Sequence, residues 1–152
     1  QAAIRTVTAR TSLVLDAGGG SLPRMLLPFR LGLGGPIGSG DQWWSWITLQ
    51  DEVRAIIHCL ETSTLSGPVN LCAPASSLNR GFTKALGAAL RRPAILPVPA
   101  FGLRLALGAE FADEVLLASQ NISPLRLLES GFNWLHPTLE QAFEALLGRQ
   151  PT

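Results

Sequence analysis

The chain of 152 residues contains no tyrosine, one lysine, one methionine and two cysteines. Without tyrosine there is no phenol to pass a proton, and Lys84 has no phenol to tune. Cys59 falls inside a helical pattern and Cys72 in an apolar, strand-like run. Both read as free, buried, reduced thiols, so neither a disulfide nor a metal site is expected. Charge is scarce as well: 15% of residues are charged, against about 25% in an ordinary soluble domain. With 47% hydrophobic residues, some surfaces must be built to be covered. The 12 basic and 11 acidic side chains are spread evenly and form no basic stripe, which excludes nucleic acid as a partner. Glycine, proline and arginine break every apolar run short of the ~18 residues a spanning helix needs, and no charged-then-apolar leader opens the chain. The expectation is a cytoplasmic protein that does not enter a membrane.

What is present alternates between strand and helix. Residues 5–15 are β-branched and end in Leu13-Val14-Leu15 before Asp16 and Gly18-Gly19-Gly20, which predicts one strand and a turn. Ser21 as N-cap, Pro23, and the spacing of Leu22, Met25, Leu26 and Phe29 predict a helix over 23–31. Residues 32–40 are too rich in glycine for regular structure and predict an ordered loop in close backbone contact with something. An aromatic strand follows over 42–48. The next helix, 49–61, carries Val53, Ile56, Ile57 and Leu60 on one side and Glu52, Arg54 and Glu61 on the other, with Asp51 in its first turn. A buried strand over 69–73 and a helix over 77–90 holding Phe82 and Leu86 continue the alternation. Beyond Arg91-Arg92-Pro93 the texture changes to helical patterns over 100–108, 111–119 and 139–147.

Three motifs carry possible chemistry. The loop Gly35-x-x-Gly38-x-Gly40 follows a helix and leads into a strand, the reverse of a dinucleotide fingerprint, and no register fits G-x-G-x-x-G. No serine lies in a nucleophile elbow, and His58 and His136 read as structural. In Gln42-Trp43-Trp44-Ser45-Trp46-Ile47, alternation sends Trp44 and Trp46 to one face and Trp43 to the other. The indoles are either core or a substrate wall, with Gln42 able to bind ligand hydroxyls, and periodicity leaves both open.

These segments resemble a known family. Arg10-Thr11-Ser12-Leu13-Val14-Leu15, Gly18-Gly19-Gly20, the stretch from Met25 through Gly40, Gln42 to Ile47 with Asp51, and Gly67-Pro68-Val69-Asn70-Leu71 are similar to the epimerase-like subfamily of atypical extended short-chain dehydrogenases/reductases. Leu107-Gly108, Leu116 to Gln120, Pro124 and Gly131-Phe132 resemble the small C-terminal domain of unknown function in that subfamily. The resemblance implies an α/β fold: residues 1–92 as the distal part of a Rossmann-like parallel sheet with a Gly/Trp substrate loop, and 93–152 as a small, mostly helical C-terminal domain.

It also implies a full-length enzyme that uses NAD(P), NADP ahead of NAD, and a Tyr-x-x-x-Lys pair that this chain lacks, so the chain alone would be an inactive, substrate-binding half that holds no cofactor tightly. Arg10, Thr11 and Val14 are its implied cofactor contacts. Gly34, Gly35, Gly38, Ser39, Gly40, Gln42, Trp44 and Trp46 are its implied substrate wall, for a sugar-like or carbonyl compound. Ser12 stands where the family has glycine, and Thr48-Leu49-Gln50-Asp51 replaces a His-x-x-Asp ending; Asp51 reads as a first-turn capping residue rather than a catalytic acid. Strands lacking their sheet neighbours would leave apolar faces for an N-terminal half or another copy, and a non-catalytic binding or interaction module using the Trp-rich wall is the alternative reading.

Overall fold

The computed structural model describes residues 4–99 and 118–148. The β-branched run at the start forms two strands rather than the single one expected. β1 (Val7–Thr11) and β2 (Leu13–Leu15) part at Ser12 because the backbone changes partner there. The Ser12 N–H donates to the Leu71 carbonyl at 3.1 Å, and the next one, from Leu13, donates to Ser45 at 3.1 Å. The aromatic strand divides in the same way at Ser45, into β3 (Trp43–Trp44) and β4 (Trp46–Thr48). β1 pairs in parallel with β5 (Gly67–Leu71), and β2 pairs in parallel with β4. β3 pairs antiparallel with β6 (Ser77–Leu78).

Parallel strands need helical crossovers, and the chain supplies them. α1 (Leu22–Arg30) lies between β2 and β4, and α2 (Leu49–Glu61) between β4 and β5. α3 (Asn79–Leu90), α4 (Leu125–Glu129) and α5 (Leu139–Leu147) complete the described helices. The expected helix over 100–108 lies outside the described residues. So does that over 111–119, apart from Ala118 and Ser119, which are not helical. No described helix is long and apolar enough to cross a membrane.

The helical spacing of α1 does what its pattern predicts: Leu22, Leu26 and Phe29 are buried. They join Leu15, Trp44, Trp46, Phe82, Leu86 and Phe143 in one core cluster. Phe82 sits at its centre, edge-on to Trp44 at 4.9 Å and to Phe143 at 5.2 Å. Each such aromatic pair is worth about 0.5–1.5 kcal/mol beyond the area it buries. α5 is thereby held on α3. A second cluster gathers Ile47, Ala55, Cys59, Val69, Leu71, Leu127 and Phe132. Both cysteines are free and buried.

α2 reverses its expected orientation. The large apolar residues Val53, Ile56, Ile57 and Leu60 are 42–70% exposed, and the face turned inward carries Asp51, Glu52, Ala55 and Cys59. Small residues let the helix lie close to β1, β2 and β4, while its two acids find hydrogen-bond partners. The apolar stripe is left uncovered among the described residues. At the C-terminal end of α2, Arg5 donates to the carbonyls of Cys59, Leu60 and Leu65 at 2.7–2.9 Å. A cation there satisfies orphan carbonyls and suits the helix dipole.

Candidate functional site

In open α/β sheets, ligands gather beyond the carboxyl ends of the parallel strands. Here the break at Ser12 opens a cleft of about 350 Å³ beside the end of β1. Thr11, Ser12 and Val14 line it from the strand side, Trp43 and Ser45 from the aromatic segment, and Gln120 from the far wall. Trp43 is the indole that reaches a surface, at 38% exposure. Its backbone is fixed to that wall: its N–H donates to Ser119 Oγ at 3.0 Å, and its carbonyl accepts from Gln120 at 2.9 Å.

Ser45 is the joint of this cleft. Its hydroxyl donates to the Gln120 carbonyl at 2.8 Å and accepts the Ile122 N–H at 2.8 Å, with Ser76 Oγ at 2.9 Å. A buried polar residue bonded this fully fixes the 120–122 segment against the strand break. Ser12 turns its hydroxyl onto the Leu71 carbonyl at 3.0 Å, so its side chain is tied to the strand end.

Behind the cleft, Thr11 Oγ1 donates to Glu52 Oε1 at 2.8 Å. Glu52 is 7% exposed, and its Oε2 has no partner among the described residues. Burial raises its pKa, only partly countered by the Thr11 hydrogen bond. The Cys72 thiol is pushed up to about 12, chiefly by burial and further by the Glu52 charge. That keeps it protonated and unreactive.

The candidate cofactor residues are brought close together. Thr11 and Val14 share the cleft, while Arg10 opens onto an adjoining one with Asn70, Asn121 and Ser123, which Thr11 also borders. The candidate substrate wall divides. Gly34, Gly35 and Trp44 line an apolar cavity of about 280 Å³ under the glycine loop. Gly35 has to be glycine there, because a Cβ would run into the Leu96 carbonyl.

Gly38, Ser39, Gly40 and Gln42 instead tie the loop to its neighbours. Gly38 donates to Val98 at 3.1 Å, Ser39 Oγ accepts the Asp41 N–H at 3.3 Å, and the Gln42 side chain donates to the Ile37 carbonyl at 3.3 Å. Gly40, at φ 72°, accepts from the Arg80 N–H at 3.0 Å. Trp46 is 1% exposed, and its indole N–H is spent on the Ala75 carbonyl at 3.1 Å.

Asp51 is a hub as well as a first-turn acid. Besides Thr48 Oγ1 and Arg54, it accepts the backbone N–H groups of Leu135 at 2.8 Å and His136 at 2.9 Å. His136 Nδ1 lies 3.2 Å from Thr48 Oγ1, and His58 Nε2 lies 2.8 Å from Ser130 Oγ, so both histidines serve contacts between segments. Ser45, Glu52 and Gln120 were not among the expected site residues, since a polar side chain gives no local sign of which distant segment it meets.

Comparison with known proteins bears on the fold and family of the chain. Residues 98–146 match a domain of unknown function, DUF1731. The chain is 45% identical over 144 residues to epimerase family protein SDR39U1 of Bos taurus, covering 94% of this chain and 49% of that protein. It is 47% identical over 142 residues to an epimerase family protein of Mycobacterium bovis, covering 93% and 47%. The crystal structure of human SDR39U1 (isoform 2) with NADPH superposes with a TM-score of 0.88 at 40% identity, covering 96% of this chain and 49% of that one. The chain thus spans about half the length of these relatives. It is homologous to the C-terminal half of epimerase family proteins, with a Rossmann-like fold and a DUF1731 match over residues 98–146.

Proposed function

We propose that this chain forms the nicotinamide-side and substrate-side wall of an NAD(P)-dependent epimerase or oxidoreductase, and that it is catalytically incomplete by itself. The observation that carries this reading is the cleft at Ser12, where Thr11 and Val14 face Trp43 and Gln120 across about 350 Å³. A flat aromatic face, a hydroxyl and an amide around a partly apolar floor suit the nicotinamide ring and a carbonyl or hydroxyl next to it. When bound, the dinucleotide supplies the hydride; this chain's residues orient the ring and exclude water. NADP is favoured over NAD because the human relative that superposes on the chain is described with NADPH. The substrate is a small molecule, sugar-like or carbonyl, and the two free buried thiols suit a reducing, cytoplasmic setting.

The test joins this chain to the N-terminal half of the Mycobacterium bovis relative and measures NADPH affinity by fluorescence. Val14→Trp, which fills the cleft floor, is expected to weaken NADPH at least tenfold with the fold intact by circular dichroism. Unchanged affinity in a folded Val14→Trp chimera would remove the cleft from the cofactor's path.

A further inference from the structure

The cleft at Ser12 and the apolar cavity under the glycine loop are neighbours that share two residues, Ser21 and Trp44. The cavity wall is made by Met25, Phe29, Ile37, Phe82, Leu86 and Val98. Its polar lining is sparse: Thr83 Oγ1 donates to the Arg80 carbonyl at 3.2 Å, Arg24 has a contact of its own, and Ser21 stands at the border with the cleft. A sugar ring pushed into this space would lose the water on each hydroxyl and find too few polar groups to replace it on all of them. Hydrocarbon would lose nothing. An apolar cavity of about 150 Å³ stays dry and admits one benzene ring. At about 280 Å³ this one holds on the order of ten carbon atoms by the same measure.

The seam between the two spaces is polar on one side. Ser21 is the N-cap residue of α1, yet its hydroxyl makes no capping hydrogen bond. It borders both spaces, so it can meet the oxygen of a ligand whose carbon chain continues inward.

From this continuity we infer that the protein binds a substrate with an apolar arm: an aldehyde, ketone or alcohol whose oxygen end lies in the cleft and whose hydrocarbon arm fills the cavity under the glycine loop. The inference rests on the reading of the cleft as the cofactor end, and it narrows the substrate from a sugar-like compound to an apolar carbonyl or alcohol. The glycine loop then has a defined role. Gly34 and Gly35 bring backbone close enough to close the cavity without side chains of their own.

Met25 is the single methionine of the chain, so its labelled methyl group reports on this cavity alone. Titrating the full chain with 1-nonanol should shift that methyl resonance saturably, with submillimolar affinity, while methyl β-D-glucoside at equal concentration leaves it in place. Leu86→Phe, which occupies the cavity, should weaken 1-nonanol about tenfold or more. If thermal melting shows that this variant does not fold, Leu33→Asp, at a lining residue that is 57% exposed, is the substitute with the same expected loss. An unmoved methyl, an equal response to the glucoside, or full 1-nonanol affinity in a folded variant would overturn the inference. Since this readout needs no dinucleotide, it fails separately from the NADPH measurement. Binding of 1-nonanol to a protein whose chimera ignores NADPH would sink the cleft reading, and the substrate assignment with it.

Discussion

Asp51 Oδ2 accepts the backbone N–H of His136 at 2.9 Å, joining the first turn of α2 to a segment 85 residues further on. The same carboxylate takes the Leu135 N–H at 2.8 Å through Oδ1, and its side chain is 1% exposed. Two backbone donors of the turn before α5 are therefore held by one side chain that arises beside β4.

Removing that side chain should be severe. Asp51→Ala leaves two backbone donors without their acceptor and takes one of two acceptors from Arg54, which keeps the Asn133 carbonyl; the loss is expected to cost about 3 kcal/mol or more. Chemical denaturation of the variant and the parent measures it. A loss below about 1 kcal/mol would mean that the 134–136 segment is held by packing of Trp134 and Phe132 instead.

Glu52 predicts a pH dependence of the opposite sign to an ordinary paired carboxylate. Its folded pKa is raised above 4.5 by burial, so the native state binds the proton more tightly than the unfolded state. Its contribution is fully present below 4.5 and is lost as pH rises through the raised folded value. Glu52→Gln keeps an oxygen for Thr11 and removes the titration, so the variant's stability should lack this decline. Urea unfolding at a series of pH values, parent against variant, decides it; parallel curves would show that Glu52 is not the group responsible.

The uncovered stripe on α2 predicts self-association. Val53, Ile56 and Leu60 are each more than 40% exposed and fall on one helical face. Val53→Glu with Leu60→Lys is expected to raise the monomer fraction in light scattering without lowering the melting temperature by more than a few degrees. An unchanged association state would put the sticky surface elsewhere, with the open edge of β1 the next place to look.

Much of the architecture was legible because local periodicity and tertiary burial agree in it. α1, α3 and α5 follow the 3.6-residue spacing of Leu22, Leu26, Phe29, Phe82, Leu86 and Phe143, and those residues are buried. α2 misled for a physical reason. Its strongest apolar stripe faces outward, and its buried face is made of two acids, an alanine and a cysteine, which a hydropathy pattern ranks as the polar side. The two strands that looked continuous break at serines, Ser12 and Ser45, where a backbone N–H or a hydroxyl finds a partner some 60–77 residues away. No local signal marks such a partner. At the site, Thr11 and Val14 came together in the cleft, and Gly34, Gly35 and Trp44 in the cavity. Trp46 turned inward, because alternation fixes which residues share a face and leaves open which face is covered.

The most direct measurement is a titration of NADPH into the chain of 152 residues by itself, followed by its four tryptophans. On the proposed reading Thr11, Val14 and Trp43 would line only the nicotinamide end; with no G-x-G-x-x-G loop to hold the pyrophosphate, binding is expected to be weaker than about 100 μM. It should tighten by at least tenfold in the chimera that adds the relative's N-terminal half. Low-micromolar binding by the chain alone would contradict the claim that it forms one wall of a shared site.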